Sequence, residues 1–146
     1  MRKNKKKGRP IHQAKAIDKL KNLGVFKVAD AVKLGIPQQT FSRYVANHQI
    51  EKVDQRLYMH PDSKLTGVER DFAIACTKFG NDSAIGLNTA LFYYGLTEVV
   101  PKSIWVLVNK KQNRKYPKYR CVFTTTTNKI GVEDHHTHRI TNLERT

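Results

Sequence analysis

Apolar residues recur at helical spacing near the start of the chain. Behind Pro10 they follow one another at intervals of three residues, with lysines outside the stripe, at Ile11, Ala14, Ile17 and Leu20. Gly24 can end this helix, and Gly35 can end a second one over residues 28–34. Pro37 then suits the start of a third helix, because its φ is already fixed near the helical value. The pattern predicts three consecutive helices.

The third predicted helix, residues 38–47, is amphipathic. Phe41, Tyr44 and Val45 fall on one face and are expected to pack inward. The outward side chains are of types that bond to DNA: Gln pairs with adenine in a bidentate way, Arg with guanine, and Ser or Thr with bases or phosphates. The candidate DNA-binding residues of this helix are Gln38, Gln39, Thr40, Ser42, Arg43 and Asn47. An ordinary polar surface helix is the alternative.

Two runs rich in β-forming residues follow, residues 50–53 and 57–60, and a short join at Asp54-Gln55-Arg56 connects them. They predict a β-hairpin, and a break in strict alternation predicts a bulge within it. Lys52 and Arg56 would lie at or near its tip, where they could position the module on phosphates or in a minor groove. Helix, turn, helix and hairpin is the order of a winged helix-turn-helix, which we place at residues 10–62.

The remaining residues, 63–146, predict a small α+β domain. We expect a helix over 65–79, a short helix over 88–94, and strands over 103–108 and 119–125. The side chains expected in its core are Val68, Phe72, Ala75, Cys76, Phe79, Phe92, Tyr93 and Tyr94, the last three with base stacking as the alternative. The fold class predicted for the whole chain is therefore α+β.

Charge makes a polyanion the first partner to consider. The chain carries 27 Lys and Arg against 12 Asp and Glu, a formal net charge of +15. Residues 1–9 hold six basic side chains and, after Met1, no apolar one, so we expect an arm that is disordered alone. Lys5, Lys6 and Lys7 could lie along phosphates or enter a minor groove, with a solvated tail as the alternative.

A second basic segment, residues 110–120, combines six basic residues with two tyrosines. Phosphate neutralisation and base stacking together suit contact with nucleic acid. The alternative is a long charged hairpin loop between the two predicted strands.

The sequence offers weak signals for catalysis and for a membrane. No apolar run approaches the ~20 residues of a membrane span, and no apolar stretch of a secretory signal follows the basic start. Cys76 and Cys121 lie in apolar surroundings without metal-ligand spacing, so a cytoplasmic protein with reduced thiols and no cofactor is expected. Asp134, His136 and His138 would share one face of a strand and could bind a first-row metal, but a polar hairpin tip is the preferred interpretation. We assign no catalytic or metal-binding residue.

Two long stretches of the chain resemble a known family. They read GVFKVADAVKLGIPQQTFSRYV with IEKVDQRLYMHPD, and VERDFAIACTKFGNDSAIGLNTALFYYGLTEVVPKSIWVLV with GVEDHHTHRITNLERT. Both are similar to the AbiEi family of type IV antitoxins, the first to its winged helix and the second to its antitoxin domain. The chain differs in having Asp54-Gln55-Arg56 where the family often carries a glycine. It also stops at Arg145-Thr146, where the family continues into helices, so we expect a truncated second domain.

The resemblance implies an operon repressor that binds operator sites in double-stranded DNA and counteracts a nucleotidyltransferase toxin. Residue patterns and resemblance together favour a non-enzymatic, sequence-specific DNA-binding regulator without a membrane association. Two alternatives stay open. One is a metal-dependent enzyme that acts on nucleic acid through the cluster at Glu133–His138, and the other is a winged helix used for protein interaction.

Overall fold

A computed structural model describes the backbone of residues 10–112, 114–124 and 130–146, with side chains from Lys15 onward. These described residues form five helices and two β-sheets, which makes the protein α+β. Among them, no helix is long and apolar enough to cross a membrane.

The described residues up to Leu65 form the first of two compact units, and those from Thr66 onward form the second. The elements of the first unit are α1 (Pro10–Leu23), β1 (Val25–Phe26), α2 (Val28–Lys33), α3 (Gln38–Ala46), β2 (Glu51–Asp54) and β3 (Leu57–Met59). The three helices and the hairpin agree with the predicted elements. Strand β1 was not predicted, because two residues are too few to show a strand period.

The three strands of the first unit form an antiparallel sheet in the order β1-β3-β2. The register of β2 against β3 shifts between Lys52 and Asp54, in the hairpin for which the broken alternation predicts a bulge. Gln55 and Arg56 make the turn of the hairpin, and Arg56 takes a left-handed φ of 61°. This φ is uncommon for a residue other than glycine.

Aromatic rings lie at the centre of the core of the first unit. Phe41 of α3 meets Phe26 at 6.2 Å and Tyr58 at 4.9 Å between ring centroids, both edge to face. The buried core residues are Ala16, Leu20, Phe26, Ala31, Ile36, Phe41 and Ile50. One side of α3 is therefore fixed by packing, as its amphipathic pattern predicts.

The elements of the second unit are α4 (Gly67–Phe79), β4 (Ala84–Ile85), α5 (Leu87–Tyr93), β5 (Ile104–Val108), β6 (Tyr119–Phe123), β7 (Val132–Asp134) and β8 (Arg139–Thr141). The strands form one sheet in the order β6-β5-β4-β8-β7. Both predicted helices and both long strands are present. The pairing of the long strands differs from expectation.

Strands β5 and β6 run parallel, with Ile104 opposite Tyr119 and Val108 opposite Phe123. A hairpin requires antiparallel strands, so the expectation that residues 110–120 form a hairpin loop is wrong. The connection, described at residues 109–112 and 114–118, must instead return along the sheet to the start of β5. Periodicity along one strand carries no information on the direction of its neighbour, which is why the pattern could not reveal this crossover.

Helices α4 and α5 cover the sheet face that carries Ile85, Val106 and Ile140. Phe72 of α4 and Ala90 of α5 lie in this core. The hydroxyl of Thr89 on α5 accepts a hydrogen bond from the Trp105 N–H at 2.8 Å and so ties the helix to β5.

Three predicted core positions of the second unit are more exposed than expected. Val68 is 50% exposed, since it lies in the first turn of α4, ahead of the buried stretch that starts at Phe72. Phe92 and Tyr93 are each 40% exposed. Tyr94 is half-buried, and its hydroxyl donates to the Thr141 carbonyl at 2.7 Å.

Candidate nucleic-acid interface

A tight turn sets the position of α3. Gly35 has a φ of 96°, in the left-handed region that favours glycine, and ends α2. Ile36 is completely buried behind this turn. Pro37 takes the N-cap position of α3 with a φ of −61°. Helix α3 therefore leaves the turn with one end fixed by backbone geometry and one side fixed by the core.

The outer face of α3 carries five of its six predicted DNA-binding residues. The exposed residues are Gln38, Gln39, Ser42, Arg43 and Asn47. Thr40 is only 9% exposed, so its predicted exposure at the N-terminal end of the helix is wrong. It precedes Tyr44 by four residues, which puts both side chains on the packed side of the helix.

The side chains of this face differ in how many hydrogen-bond donors and acceptors they can offer to a ligand. The Ser42 hydroxyl donates to the Gln38 carbonyl at 3.1 Å, so this hydroxyl has lone pairs left but no proton to offer. The guanidinium of Arg43 is exposed and carries five donors. Asn47 is the C-cap, and its N–H donates to the Arg43 carbonyl at 2.9 Å. At about 1.5 Å per residue, the face extends about 14 Å from Gln38 to Asn47.

The hairpin places two further predicted residues at the surface. Lys52 on β2 and Arg56 in the turn are both exposed. Arg56 is at the tip, while Lys52 lies part-way along β2 opposite Tyr58. The Asp54 carboxylate accepts the Gln55 N–H at 2.7 Å and so shapes the turn without a glycine. The basic arm with Lys5, Lys6 and Lys7 lies outside the described residues.

The histidine cluster does not form the strand face on which the metal-binding alternative depends. His136 has a φ of 72° in the turn between β7 and β8, and its N–H donates to the Asp134 carboxylate at 2.9 Å. His138 instead points into the unit, where its ring meets Phe72 at 5.5 Å and stacks on His135 at 5.0 Å. The shared strand face of Asp134, His136 and His138 is therefore wrong, because a turn interrupts the alternation. Among the described residues, no group of three His, Cys, Asp or Glu side chains could hold a metal ion.

Arg139 is a residue whose role sequence patterns did not indicate. Its Nε donates to the Ser83 carbonyl at 2.7 Å, and one Nη donates to the Gly80 carbonyl at 2.8 Å. These charge-assisted bonds secure the segment that follows α4. The partners of Arg139 lie more than fifty positions away in the sequence, so no local sequence pattern could indicate this role.

The two thiols are in their reduced form and lack the surroundings of a nucleophile. Cys76 is buried beneath β8, and burial raises the pKa of its thiol, although the Arg139 N–H donates to its sulfur at 3.4 Å. Burial also raises the pKa of Cys121, which is half-buried. A reactive cysteine needs the opposite shift, since the thiolate is the nucleophile.

In comparisons with known proteins, no family model matches the chain and no curated protein matches it. The outer face of α3 and the adjacent hairpin therefore define the candidate site by their own geometry.

Proposed function

We propose that the first unit is a winged helix-turn-helix that binds duplex DNA with α3 in the major groove. The observation that carries this proposal is the two-sided character of α3. On its inner side Phe41 packs against Tyr58 of β3, and its outer side presents Gln39 and Arg43 to solvent. The major groove admits a helix and displays donor and acceptor patterns that these side chains can read.

The residues of the module take different roles in this proposal. Gln38, Gln39 and Arg43 contact base edges, and Ser42 accepts from a base amine. Lys52 and Arg56 hold the phosphate backbone, which fixes register without reading sequence. The order α2, turn, α3 and hairpin supports these assignments.

We further propose that the chain is a cytoplasmic, non-enzymatic autorepressor and antitoxin that counteracts a nucleotidyltransferase toxin. This part rests on the resemblance to the AbiEi family of type IV antitoxins. It requires no cofactor.

Arg43→Ala tests the reading role of α3. Loss of a bidentate base contact is worth roughly 1–3 kcal/mol, so affinity for the chain's own promoter should fall about tenfold or more. Affinity for random duplex should change little. Fluorescence anisotropy with both duplexes measures this, and Lys33→Ala on the exposed surface of α2 is the control. An equal loss on both duplexes would show that Arg43 contacts only phosphate, and no binding to any duplex would favour a protein-interaction module.

Co-expression tests the antitoxin role. The chain should restore growth of cells that express its nucleotidyltransferase toxin, which the proposal expects a neighbouring gene to encode. Arg43→Ala should lose repression of the promoter and keep this rescue, because we assign the two functions to different units. Failure of the unaltered chain to rescue growth would refute the antitoxin role and leave the DNA-binding role standing.

A further inference from the structure

The second unit carries a long stretch of one-sided charge. Between Glu98 and Glu133 the sequence holds eight basic residues and no acidic one. Six of these cations lie close together in the sequence, and all six are exposed: Lys110, Lys111, Arg114, Lys115, Lys118 and Arg120. With the rings of Trp105, Tyr116, Tyr119 and Phe123, we call them the basic–aromatic strip. Such a concentration of like charge attracts a polyanion.

The parallel crossover holds this strip against the unit. Because β6 runs in the same direction as β5, the basic segment has to fold back beside the sheet. Tyr116 anchors it, with its ring edge to face on Phe79 at 5.3 Å and on Tyr119 at 6.4 Å. Tyr116 and Tyr119 therefore pack this part of the strip against Phe79 at the end of α4.

Cation–ring contacts lie within the strip. The Arg120 guanidinium lies 4.5 Å from the centroid of the Trp105 ring, and Lys111 Nζ lies 5.8 Å from that of Phe123. Trp105 and Arg120 are opposite each other on β5 and β6. Since Val106 and Val108 face the helices, alternation puts the Trp105–Arg120 pair on the other side of the sheet, and puts Phe123, which is opposite Val108, on the helix side. Arg120 is exposed and Trp105 is half-buried, so the outer face of the guanidinium is open to a planar ligand.

We infer that the basic–aromatic strip binds single-stranded nucleic acid. The lysines neutralise phosphates, and unpaired bases stack on the Arg120–Trp105 pair. Bases in a duplex already stack on one another, so rings and guanidinium planes add little there, whereas every unpaired base has a free face. This activity goes beyond the duplex binding proposed for α3 and uses other residues.

Anisotropy of the full chain with labelled oligouridylate, oligothymidylate and a mixed-sequence duplex, each about 12 nucleotides long, tests the inference. Both single strands should bind more tightly than the duplex, and the ratio between them shows whether RNA or DNA is the preferred form. An abasic strand of equal length should bind about tenfold more weakly, because it keeps the phosphates and loses the stacking. Equal affinity for the abasic strand, or tighter binding of the duplex, would overturn the inference.

Two sets of variants assign the binding to the strip. Reversing Lys110, Lys111 and Lys115 to Glu should weaken single-strand binding by about tenfold or more and lower the salt slope by about 2. The matched control reverses Lys15, Lys19 and Lys21, which are exposed on α1, and should change single-strand binding far less. Equal loss in the control would show that only net charge matters, and the strip would not be a site.

Arg120→Lys separates stacking from charge. It keeps the cation and removes the planar guanidinium, so single-strand affinity should fall about fivefold while the salt slope stays unchanged. Unchanged affinity would refute stacking at this pair. Binding of the promoter duplex should survive both the triple reversal and Arg120→Lys. Arg43→Ala should leave single-strand binding intact, so failure of one proposal is distinguishable from failure of the other.

Discussion

His138 follows two exposed histidines in a polar turn, yet only 3% of it is exposed. Its Nε2 has no hydrogen-bond partner among the described residues, and its ring lies between Phe72 and His135. Burial lowers the pKa of this imidazole, and the nearby His135 lowers it further. The neutral form is therefore the one that fits the folded unit.

Acidification should destabilise the second unit through His138. In the unfolded chain the imidazole has an ordinary pKa of about 6.5, and in the folded unit its pKa is lower. Its contribution to stability is complete above about pH 6.5 and is lost as the pH falls through the folded pKa. Urea unfolding at several pH values, followed by fluorescence of Trp105, the one tryptophan of the chain, measures this loss.

His138→Phe should flatten that pH dependence, because it keeps an aromatic ring and removes the proton site. His136→Asn is the control, since His136 is exposed and asparagine tolerates its left-handed φ. A pH profile unchanged in His138→Phe would contradict the assignment to this histidine.

Single residues were predictable where one local period dominates. Phe41 lies where the helical pattern of α3 puts it. Thr40 was misjudged because a hydroxyl next to the apolar stripe suits either side of a helix. His138 was misjudged because the left-handed turn at His136 breaks the alternation on which the prediction depended.

Among the elements, α3 depends on a turn that few residues can make. An added Cβ at Gly35 would meet no heavy atom within 4 Å, so space is not the constraint. The constraint is the φ of 96°, which side chains rarely adopt.

Gly35→Ala should lower the opening free energy of α2 and α3 by about 1–2 kcal/mol, through backbone strain alone. Hydrogen exchange of the amides of residues 28–46 measures this energy. Gly35→Asn should cost less, because asparagine visits the left-handed region more readily. Equal losses for alanine and asparagine would point to a steric cause and contradict this account.

The type of the longer elements could be predicted in both units, but which strands pair with one another could not. Glycine and proline mark the ends of α2 and α3, so their bounds follow from the sequence. The parallel pairing of β5 with β6 and the short strands β1 and β4 depend on contacts across the sheet. Those contacts leave no period along the chain.

At the scale of the whole molecule, charge governs binding that is independent of sequence. The net charge of +15 includes the basic arm, residues 1–9. Each phosphate neutralised on duplex DNA contributes about 0.9 to the slope of log affinity against log salt.

Reversing Lys5, Lys6 and Lys7 to Glu should flatten that slope by about 3 on promoter and random duplex alike. Titrations at several salt concentrations measure it. The Lys-to-Arg triple variant keeps the charge and should behave like the unaltered chain. A slope that changes only on the promoter would show base contact by the arm, and an unchanged slope would show a solvated tail.

Strand β6 ends the order of the second sheet within the described residues, so one side of it lacks a neighbouring strand there. An edge of this kind is a template on which a second chain can add its own strand, and lysines are a common protection against such growth. Here Lys118 and Arg120 mark that edge with positive charge. Repulsion between copies therefore opposes aggregation of the free protein, and masking these charges would remove a barrier to it.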